Sequence, residues 1–236
     1  MSLTFGQIQK TSLIDYPGEV ASTLFTVGCN FRCPFCYNRS LVLPEEYPPQ
    51  RITPEQAILE LSKRKKYVQA AVITGGEPTI HEELPWFIES LKKEGIKVKL
   101  DTNGSNPKML TELFSKKLLD YVAMDIKSSL DSYDEATGVQ IDIAQIKESA
   151  QLIQSSAVPY EFRTTVVPGL HNLDTMERIG KWLNGANKYI LQPFTAEGGT
   201  LDRTYSGKAP FRPQELTALL NVVKPYFKEA TIREYY

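Results

Sequence analysis

Residues 20–36 read VASTLFTVGCNFRCPFC, a short apolar run rich in β-branched residues followed by a loop with Cys29, Cys33 and Cys36. These three cysteines are the only ones in the chain. Three thiolates can bind three irons of a [4Fe–4S] cube and leave the fourth iron without a protein ligand, whereas electron-transfer clusters usually have cysteine on every iron. The spacing therefore predicts a cluster at which a small molecule can bind.

Two other interpretations of the cysteines stay open at this point. A structural zinc site needs four ligands, and the fourth would have to be His81, His171 or a carboxylate, none of which has finger-like spacing. Buried core thiols are the other interpretation, although a loop flanked by Gly and Pro is an unusual place to build a core. An odd number of cysteines without a signal-peptide pattern favours a reducing compartment, so we expect a cytoplasmic protein.

The bulk composition is that of an ordinary globular protein. The chain has 236 residues, a hydrophobic fraction of 42% and a net charge of −1. We therefore expect one domain over residues 1–236, with a core at about 20–195, an N-terminal strand or hairpin at 1–19 and a C-terminal helix and strand at 196–236. The charge gives no reason to expect a nucleic acid, and no apolar run approaches the ~20 residues that span a membrane.

The fold prediction rests on short apolar runs that alternate with longer helical patterns. The runs are Val20–Val27, Ala70–Thr74, Lys97–Leu100, Tyr121–Asp125, Tyr160–Val167 and Lys188–Leu191. Such alternation predicts an α/β fold with a parallel sheet and right-handed crossovers. Since a complete eight-unit barrel typically needs ~250 residues, six units favour a partial TIM barrel, (βα)6, with a parallel sheet open on one side. A closed eightfold barrel and an open doubly wound sheet are the alternatives.

Helix starts are also visible. Thr53-Pro54-Glu55-Gln56 offers an N-cap, a proline in the first turn and a capping-box Gln, and further helices are predicted to open at Pro107 and at Arg212-Pro213.

Polar or glycine-rich groups close each predicted strand. They are the cysteine loop, Gly75-Gly76-Glu77-Pro78, Asp101-Thr102-Asn103-Gly104, Asp125-Ile126-Lys127, Arg163–Gly169 and Gln192-Pro193-Phe194. Ligand sites of parallel α/β folds lie at the carboxyl ends of the strands. We therefore expect these groups to meet at one rim of the sheet.

The residue types suggest what the first of these groups can do. Gly75 and Gly76 allow the main chain to approach a ligand closely, and Glu77 can pair with an ammonium. A tight turn with a solvated Glu is equally compatible with this segment. Asp101, Asp125 and Lys127 can form a buried ion network or a cation site.

The later groups are less specific. The guanidinium of Arg163 can bind a carboxylate through two N–H groups, or it can pair with a nearby Glu. Gln192 and Phe194 can present an amide and a ring to an adenine, while core packing of Phe194 is the alternative. We expect His171 to be a surface residue rather than a base.

The C-x3-C-x2-C spacing, with an aromatic residue before the last cysteine, resembles the radical S-adenosylmethionine (radical SAM) superfamily, and Gly75-Gly76-Glu77-Pro78 matches a segment of that family letter for letter. The resemblance implies a [4Fe–4S] cluster whose open iron binds S-adenosylmethionine. It implies that Gly75, Gly76 and Glu77 bind the methionyl amino group. It also implies that Phe35 supports the adenine.

The runs Leu100–Gly104 and Met124–Lys127 resemble the glycyl radical enzyme activating branch of that superfamily. The resemblance implies that Asp101 and Asp125 ligate a monovalent cation beside the carboxylate of S-adenosylmethionine. It implies that Lys127 contacts that carboxylate and that Arg163 faces the cofactor. Asn103 is counted with the cofactor-binding residues.

Thr11–Gly18, Cys36–Asn38 and Phe162–Pro168 narrow the resemblance to anaerobic ribonucleoside-triphosphate reductase activating proteins, which are kin of pyruvate formate-lyase activating enzyme. Tyr37 stands where the latter group usually has His. The resemblance runs from about Thr11 to Phe194.

This resemblance implies reductive cleavage of S-adenosylmethionine to a 5′-deoxyadenosyl radical that takes a glycine Cα hydrogen from a partner glycyl radical enzyme. A flavodoxin or ferredoxin would be the electron donor. A radical SAM reaction on a small molecule or nucleoside, like that of 7-carboxy-7-deazaguanine synthase, is one alternative. A non-catalytic iron–sulfur or zinc module is the other.

Overall fold

The computed structural model describes residues 2–195 and 199–233. Within that part of the chain, eight strands form one sheet in the order of the chain. They are β1 Phe5–Ser12, β2 Ala21–Thr26, β3 Ala70–Gly75, β4 Lys97–Thr102, β5 Tyr121–Asp125, β6 Tyr160–Val166, β7 Lys188–Pro193 and β8 Glu229–Ile232.

The pairing of the strands agrees with the predicted class. β1 runs antiparallel to β2, as a hairpin requires, whereas β2 pairs parallel with β3, β3 with β4, β6 with β7 and β7 with β8. The prediction of an α/β fold with an open parallel sheet, of the partial-barrel type, is confirmed.

The helices lie between the strands. They are α1 Arg39–Val42, α2 Pro54–Arg64, α3 Leu84–Lys93, α4 Pro107–Ser115, α5 Tyr133–Thr137, α6 Ile143–Ser155, α7 Leu173–Trp182 and α8 Pro213–Val223. The capping box predicted for α2 is present, since Thr53 Oγ1 accepts from Gln56 N at 3.3 Å and Gln56 Oε1 accepts from Thr53 N at 3.0 Å. Such reciprocal bonds satisfy two amide donors that the first helical turn leaves unpaired.

Two strands continue two residues further than the apolar runs predict. β4 includes Asp101 and Thr102, and β7 includes Gln192 and Pro193. In β7 the extension follows from pairing, because these two residues lie opposite Thr165 and Val166 of β6. Hydrophobicity alone marks only the buried part of a strand, so polar residues that remain in the ladder are missed.

The chain divides into two compact units. The first contains residues 2–30, 38–122 and 156–159, and its core includes Leu24, Ile73 and Leu100, which are fully buried. The second contains residues 31–37, 123–155, 160–195 and 199–233, and in its core the Tyr189 ring stacks on Phe227 at 4.5 Å.

The terminal segments correspond only in part to described structure. α8 and β8 lie where a C-terminal helix and strand are expected. The tail from 234 to 236 lies outside the described residues. None of the described helices has the length and apolar character that crossing a membrane requires.

Candidate functional site

In the first unit, Gly75 and Gly76 at the end of β3 pack directly against the end of β2 and against Gly28, the residue that precedes Cys29. Gly76 N donates to Thr26 O at 2.9 Å, and Glu77 N donates to Gly28 O at 2.8 Å. A Cβ on Gly76 would lie 1.9 Å from Gly28 O, and Gly75 has a φ of +110°. Both positions thus need glycine because of neighbouring main chain, which is that of Phe25 and Thr26 in β2 at Gly75 and that of Gly28 at Gly76. The predicted approach of these glycines to a ligand stays a prediction.

The carboxylate of Glu77 is 1% exposed and is surrounded by neutral hydrogen-bond donors. It accepts from Thr79 N at 3.0 Å, Thr79 Oγ1 at 2.5 Å, Thr102 Oγ1 at 2.8 Å and Asn103 N at 2.6 Å. Burial raises the pKa of Glu77, and the hydrogen bonds from Thr79, Asn103 and Thr102 oppose that rise. Glu77 therefore joins the end of β3 to the end of β4. Its predicted pairing with a methionyl ammonium stays a prediction.

Asn103 extends this connection to the cysteine loop. Asn103 Nδ2 donates to Asn30 Oδ1 at 3.0 Å, Asn30 Nδ2 donates to Ser105 Oγ at 2.8 Å, and Ser105 N donates to Asn103 Oδ1 at 2.9 Å. Asn30 directly follows Cys29, so this amide network holds the first part of the loop. Sequence reasoning missed Asn30, because its partners Asn103 and Ser105 lie more than 70 residues later in the chain.

Asp101 lies next to a buried lysine that sequence reasoning also missed. Lys99 Nζ is 2.6 Å from Asp101 Oδ1, and the lysine side chain is 1% exposed. The two residues are two apart in β4, so their side chains share one face of the strand. That period of two was the available signal. A cation bound by Asp101 would have to share the carboxylate with this ammonium.

In the second unit, the Cys33–Cys36 turn is held by main-chain hydrogen bonds. Cys36 N donates to Cys33 O at 3.0 Å, while Pro34 O accepts from Asp202 N and Cys36 O accepts from Leu201 N, both at 2.9 Å. The segment after β7 therefore fixes the carbonyl groups of this turn.

The side chains of the turn differ in exposure. Cys33 is 7% and Phe35 6% exposed, while Cys36 is half-buried. Burial raises the pKa of Cys33 to about 11, and the nearby Lys127 ammonium counteracts this rise. Cys29, Cys33 and Cys36 are all free of disulfides. Across residues 2–195 and 199–233, no group of three or more His, Cys, Asp or Glu side chains is arranged to hold a single metal ion.

Asp125, Arg163 and Lys127 form the charged centre of the second unit. Asp125 Oδ1 accepts from Arg163 Nε and lies 2.8 Å from Arg163 Nη2, and Asp125 Oδ2 lies 3.1 Å from Lys127 Nζ. Burial alone would raise the pKa of Asp125, but the two cations outweigh it and hold that pKa well below its ordinary value. Asp125 in turn raises the pKa of Lys127 against the opposing effect of burial. Asp125 and Lys127 are thus in contact, and Arg163 joins them from the middle of β6. Their predicted roles in binding a cation and a carboxylate stay predictions.

His171 is not the surface residue that we expected. It is 3% exposed, and both ring nitrogens are bonded to main chain: Nδ1 accepts from Val167 N, and Nε2 lies 2.9 Å from Lys127 O. Burial lowers the pKa of His171 to about 4. The expectation failed because the Pro168–Gly169 turn, which reads as exposed loop, folds back so that His171 bridges to Pro168.

The remaining candidates lie at the end of β7. Gln192 is half-buried, and Phe194 is 1% exposed, with its main-chain nitrogen bonded to Val166 O at 3.3 Å. Adenine contacts by these residues stay predictions. Tyr37, which follows Cys36, is 55% exposed.

A family model described as the Radical SAM superfamily matches residues 23–183, more than half of the chain. A protein of Methanocaldococcus jannaschii, provisionally named a glycyl-radical enzyme activating enzyme, is 32% identical over 231 residues, which cover 96% of this chain and 94% of that protein. The pyruvate formate-lyase-activating enzyme of Staphylococcus aureus is 26% identical over 205 residues, which cover 79% of each chain.

Solved structures are similar in fold. The crystal structure of Streptococcus suis SuiB bound to S-adenosylmethionine matches with a TM-score of 0.67 at 15% identity, over 86% of this chain and 48% of that one. This chain thus spans about half the length of that structure. At such low identity the likeness concerns the fold alone.

Proposed function

This chain belongs to the radical SAM superfamily, and from that premise we propose that it is an activase for a glycyl radical enzyme. The observation that carries the proposal is the likeness, over nearly the whole chain, to the provisionally named activating enzyme of M. jannaschii. The cysteine spacing, the Gly75-Gly76-Glu77 segment and the Asp125–Lys127 pair support it.

The residues fit the cofactors that the superfamily uses. Three thiols without disulfides, on one short loop, are the ligand type that iron–sulfur clusters require. Burial raises the pKa of Cys33, and the Lys127 ammonium counteracts that rise and so helps the thiolate, which is the form that binds iron. Cys29, Cys33 and Cys36 would hold the [4Fe–4S] cluster.

The cofactors would supply the difficult chemistry, and the protein would supply orientation. When bound, the reduced cluster would supply the electron that cleaves S-adenosylmethionine to methionine and a 5′-deoxyadenosyl radical, which removes a glycine Cα hydrogen from the partner. Lys127 and Arg163, aligned by Asp125, would bind the carboxylate of the methionyl group. The main chain at Gly75–Glu77 would bind its amino group, and Phe35, Gln192 and Phe194 would contact the adenine.

Two finer points belong to the same proposal. The partner would be similar to the anaerobic ribonucleotide reductase, with flavodoxin or ferredoxin as the donor. A monovalent cation bound by Asp101 would have to share that carboxylate with Lys99, and one bound by Asp125 would have to share that carboxylate with Arg163 and Lys127.

A first experiment tests radical chemistry. The protein would be reconstituted anaerobically with iron and sulfide, reduced with dithionite and assayed for 5′-deoxyadenosine from S-adenosylmethionine. We expect product from the native protein and none from Cys33→Ala. Tyr67→Ala, at a side chain that is 78% exposed, is the matched control and should give the native yield. Absence of product and of any spectral response to S-adenosylmethionine would favour the non-catalytic module.

A second experiment tests the acceptor of the radical. A candidate glycyl radical enzyme would be produced with α-deuterated glycine and incubated with the reduced protein. We expect deuterium in the 5′-deoxyadenosine and a glycyl radical signal in electron paramagnetic resonance. Cleavage of S-adenosylmethionine without deuterium transfer, stimulated instead by a nucleoside, would favour the small-molecule alternative.

A further inference from the structure

The main chain of Lys127 is held by two buried side chains instead of by strand pairing. Lys127 lies two residues beyond the end of β5. Its N–H donates to Tyr133 Oη at 3.2 Å, and its carbonyl oxygen lies 2.9 Å from His171 Nε2. Tyr133 is 1% and His171 3% exposed. The main chain of Lys127, which lies beyond the strand, is thus held at its N–H and at its carbonyl by rigid, buried rings.

The hydrogen bonds define the state of the imidazole. Val167 N–H donates to His171 Nδ1 at 2.9 Å, so Nδ1 must carry a lone pair. The proton of the neutral ring is therefore on Nε2, which donates it to Lys127 O. With both nitrogens engaged by main chain, His171 has no atom left for proton transfer. Its chemistry is that of a fixed bridge from the end of β6 to Lys127.

The position of the Lys127 peptide determines where its ammonium lies. The side chain leaves that peptide towards Asp125 Oδ2, 3.1 Å from Nζ, and lies close enough to Cys33 to affect its thiol. Lysine has a long, flexible stem, so its head is well placed only when its base and its partners are fixed. Asp125 fixes the head of Lys127, and His171 fixes the base.

We propose that His171 is a positioning residue that sets where the Lys127 ammonium meets the carboxylate of S-adenosylmethionine. This inference rests on the proposed function, because it assumes that Lys127 binds that carboxylate. It assigns a role to a residue for which neither the family resemblance nor the proposed chemistry provides one.

Two substitutions separate positioning from stability. Asn places its amide oxygen where Nδ1 lies, so His171→Asn can keep the bond from Val167 N but loses the bond to Lys127 O. Gln places its amide nitrogen near Nε2, so His171→Gln can keep the bond to Lys127 O but loses the bond from Val167 N. Each variant removes one buried hydrogen bond, so a purely structural role predicts equal effects.

The expected results differ for the two variants. In the 5′-deoxyadenosine assay, His171→Asn should raise the KM for S-adenosylmethionine about tenfold, as expected for the loss of a hydrogen bond of ordinary strength, and leave kcat near native. His171→Gln should stay within about twofold of the native KM. In hydrogen–deuterium exchange of the protein before reconstitution, the amides of residues 127–129 should exchange faster in the Asn variant than in the Gln variant.

Two outcomes would overturn the proposal. One is an equal KM for the two variants, and the other is equal exchange at residues 127–129. If the native protein forms no 5′-deoxyadenosine and its spectrum does not respond to S-adenosylmethionine, the proposed function fails by that result alone. The exchange comparison still decides whether His171 fixes the Lys127 peptide.

Discussion

Substitution of Gly76 by Ala should damage the protein at the junction between β3 and the cysteine loop. The added Cβ would lie 1.9 Å from Gly28 O, whereas ordinary contact begins near 3.4 Å, so the two segments would have to separate by about 1.5 Å. Both are main chain, so no side-chain rotation relieves the overlap. Separation would strain two hydrogen bonds, from Gly76 N to Thr26 O and from Glu77 N to Gly28 O.

The energetic cost of Gly76→Ala follows from these contacts. Overpacking costs about 1–3 kcal/mol, with backbone overlap at the upper end, and each strained hydrogen bond adds about 1 kcal/mol. A loss of at least about 3 kcal/mol should lower the Tm by at least about 6 °C in a protein of this size. The amount of iron bound per chain after reconstitution should fall as well, because Gly28 directly precedes Cys29 in the chain.

Circular dichroism melts of the protein before reconstitution would measure this cost. Gly207→Ala is the matched control, since its Cβ would meet open space and its backbone is not left-handed. The control should melt within about 2 °C of the native protein. If Gly76→Ala melted like the control, the close contact with Gly28 would be refuted.

Three further predictions concern buried charges, each measured by urea unfolding. The His171 pKa of about 4 lies below its unfolded value, so its contribution to the free energy of unfolding is complete above about pH 6.5 and falls as the pH drops towards 4. Between pH 7.5 and 5 the free energy of unfolding of the native protein should fall by about 2 kcal/mol more than that of His171→Gln. Equal losses in the two proteins would contradict this prediction. Lys99→Met removes the ammonium 2.6 Å from Asp101 and should lower the free energy of unfolding by about 3–5 kcal/mol. Adding Asp101→Asn should recover much of that loss. If Lys99→Met alone were as stable as the native protein, a strong ion pair would be excluded. Arg233→Met removes the guanidinium 2.9 Å from the fully buried Glu161 and should lower the free energy of unfolding by about 3 kcal/mol. Adding Glu161→Gln should restore part of that stability. If it restored none, Arg233 would act through packing instead.

Local patterns predicted the strands and the helix starts. Runs of β-branched residues mark strands because buried parallel strands require them, and the Thr53–Gln56 capping box acts over one helical turn. Both signals are complete within a few residues of sequence. The strand period of two suggested that Asp125 and Lys127 share one face, and the two side chains are in contact although Lys127 lies beyond the end of β5.

Apart from Lys99, which lies two residues from its partner Asp101, the missed features discussed below depend on residues far apart in the chain. Gly76 needs to be glycine because of Gly28, 48 residues earlier, and Glu161 is compensated by Arg233, 72 residues later. Burial of His171 depends on the Lys127 carbonyl, 44 residues before it. Neither member of such a pair carries a local signal, because only the tertiary fold brings it to its partner.

Glu77 and Asp125 show why residue type alone does not assign a role. Glu77 is surrounded by neutral N–H and O–H donors, which spread its charge over several dipoles and tie β3 to β4. Asp125 is surrounded by cations, so its charge orients Arg163 and Lys127. A carboxylate of the first kind holds main chain in place, and one of the second kind orients charged groups towards a ligand.

Because both Glu77 oxygens already accept hydrogen bonds, an ammonium could bind Glu77 only by sharing those oxygens. Asp125 imposes no such competition on an anionic ligand, since the ligand would bind to the cations that Asp125 aligns. In the proposed enzyme, Arg163 and Lys127 would therefore recognise the carboxylate of S-adenosylmethionine through charge.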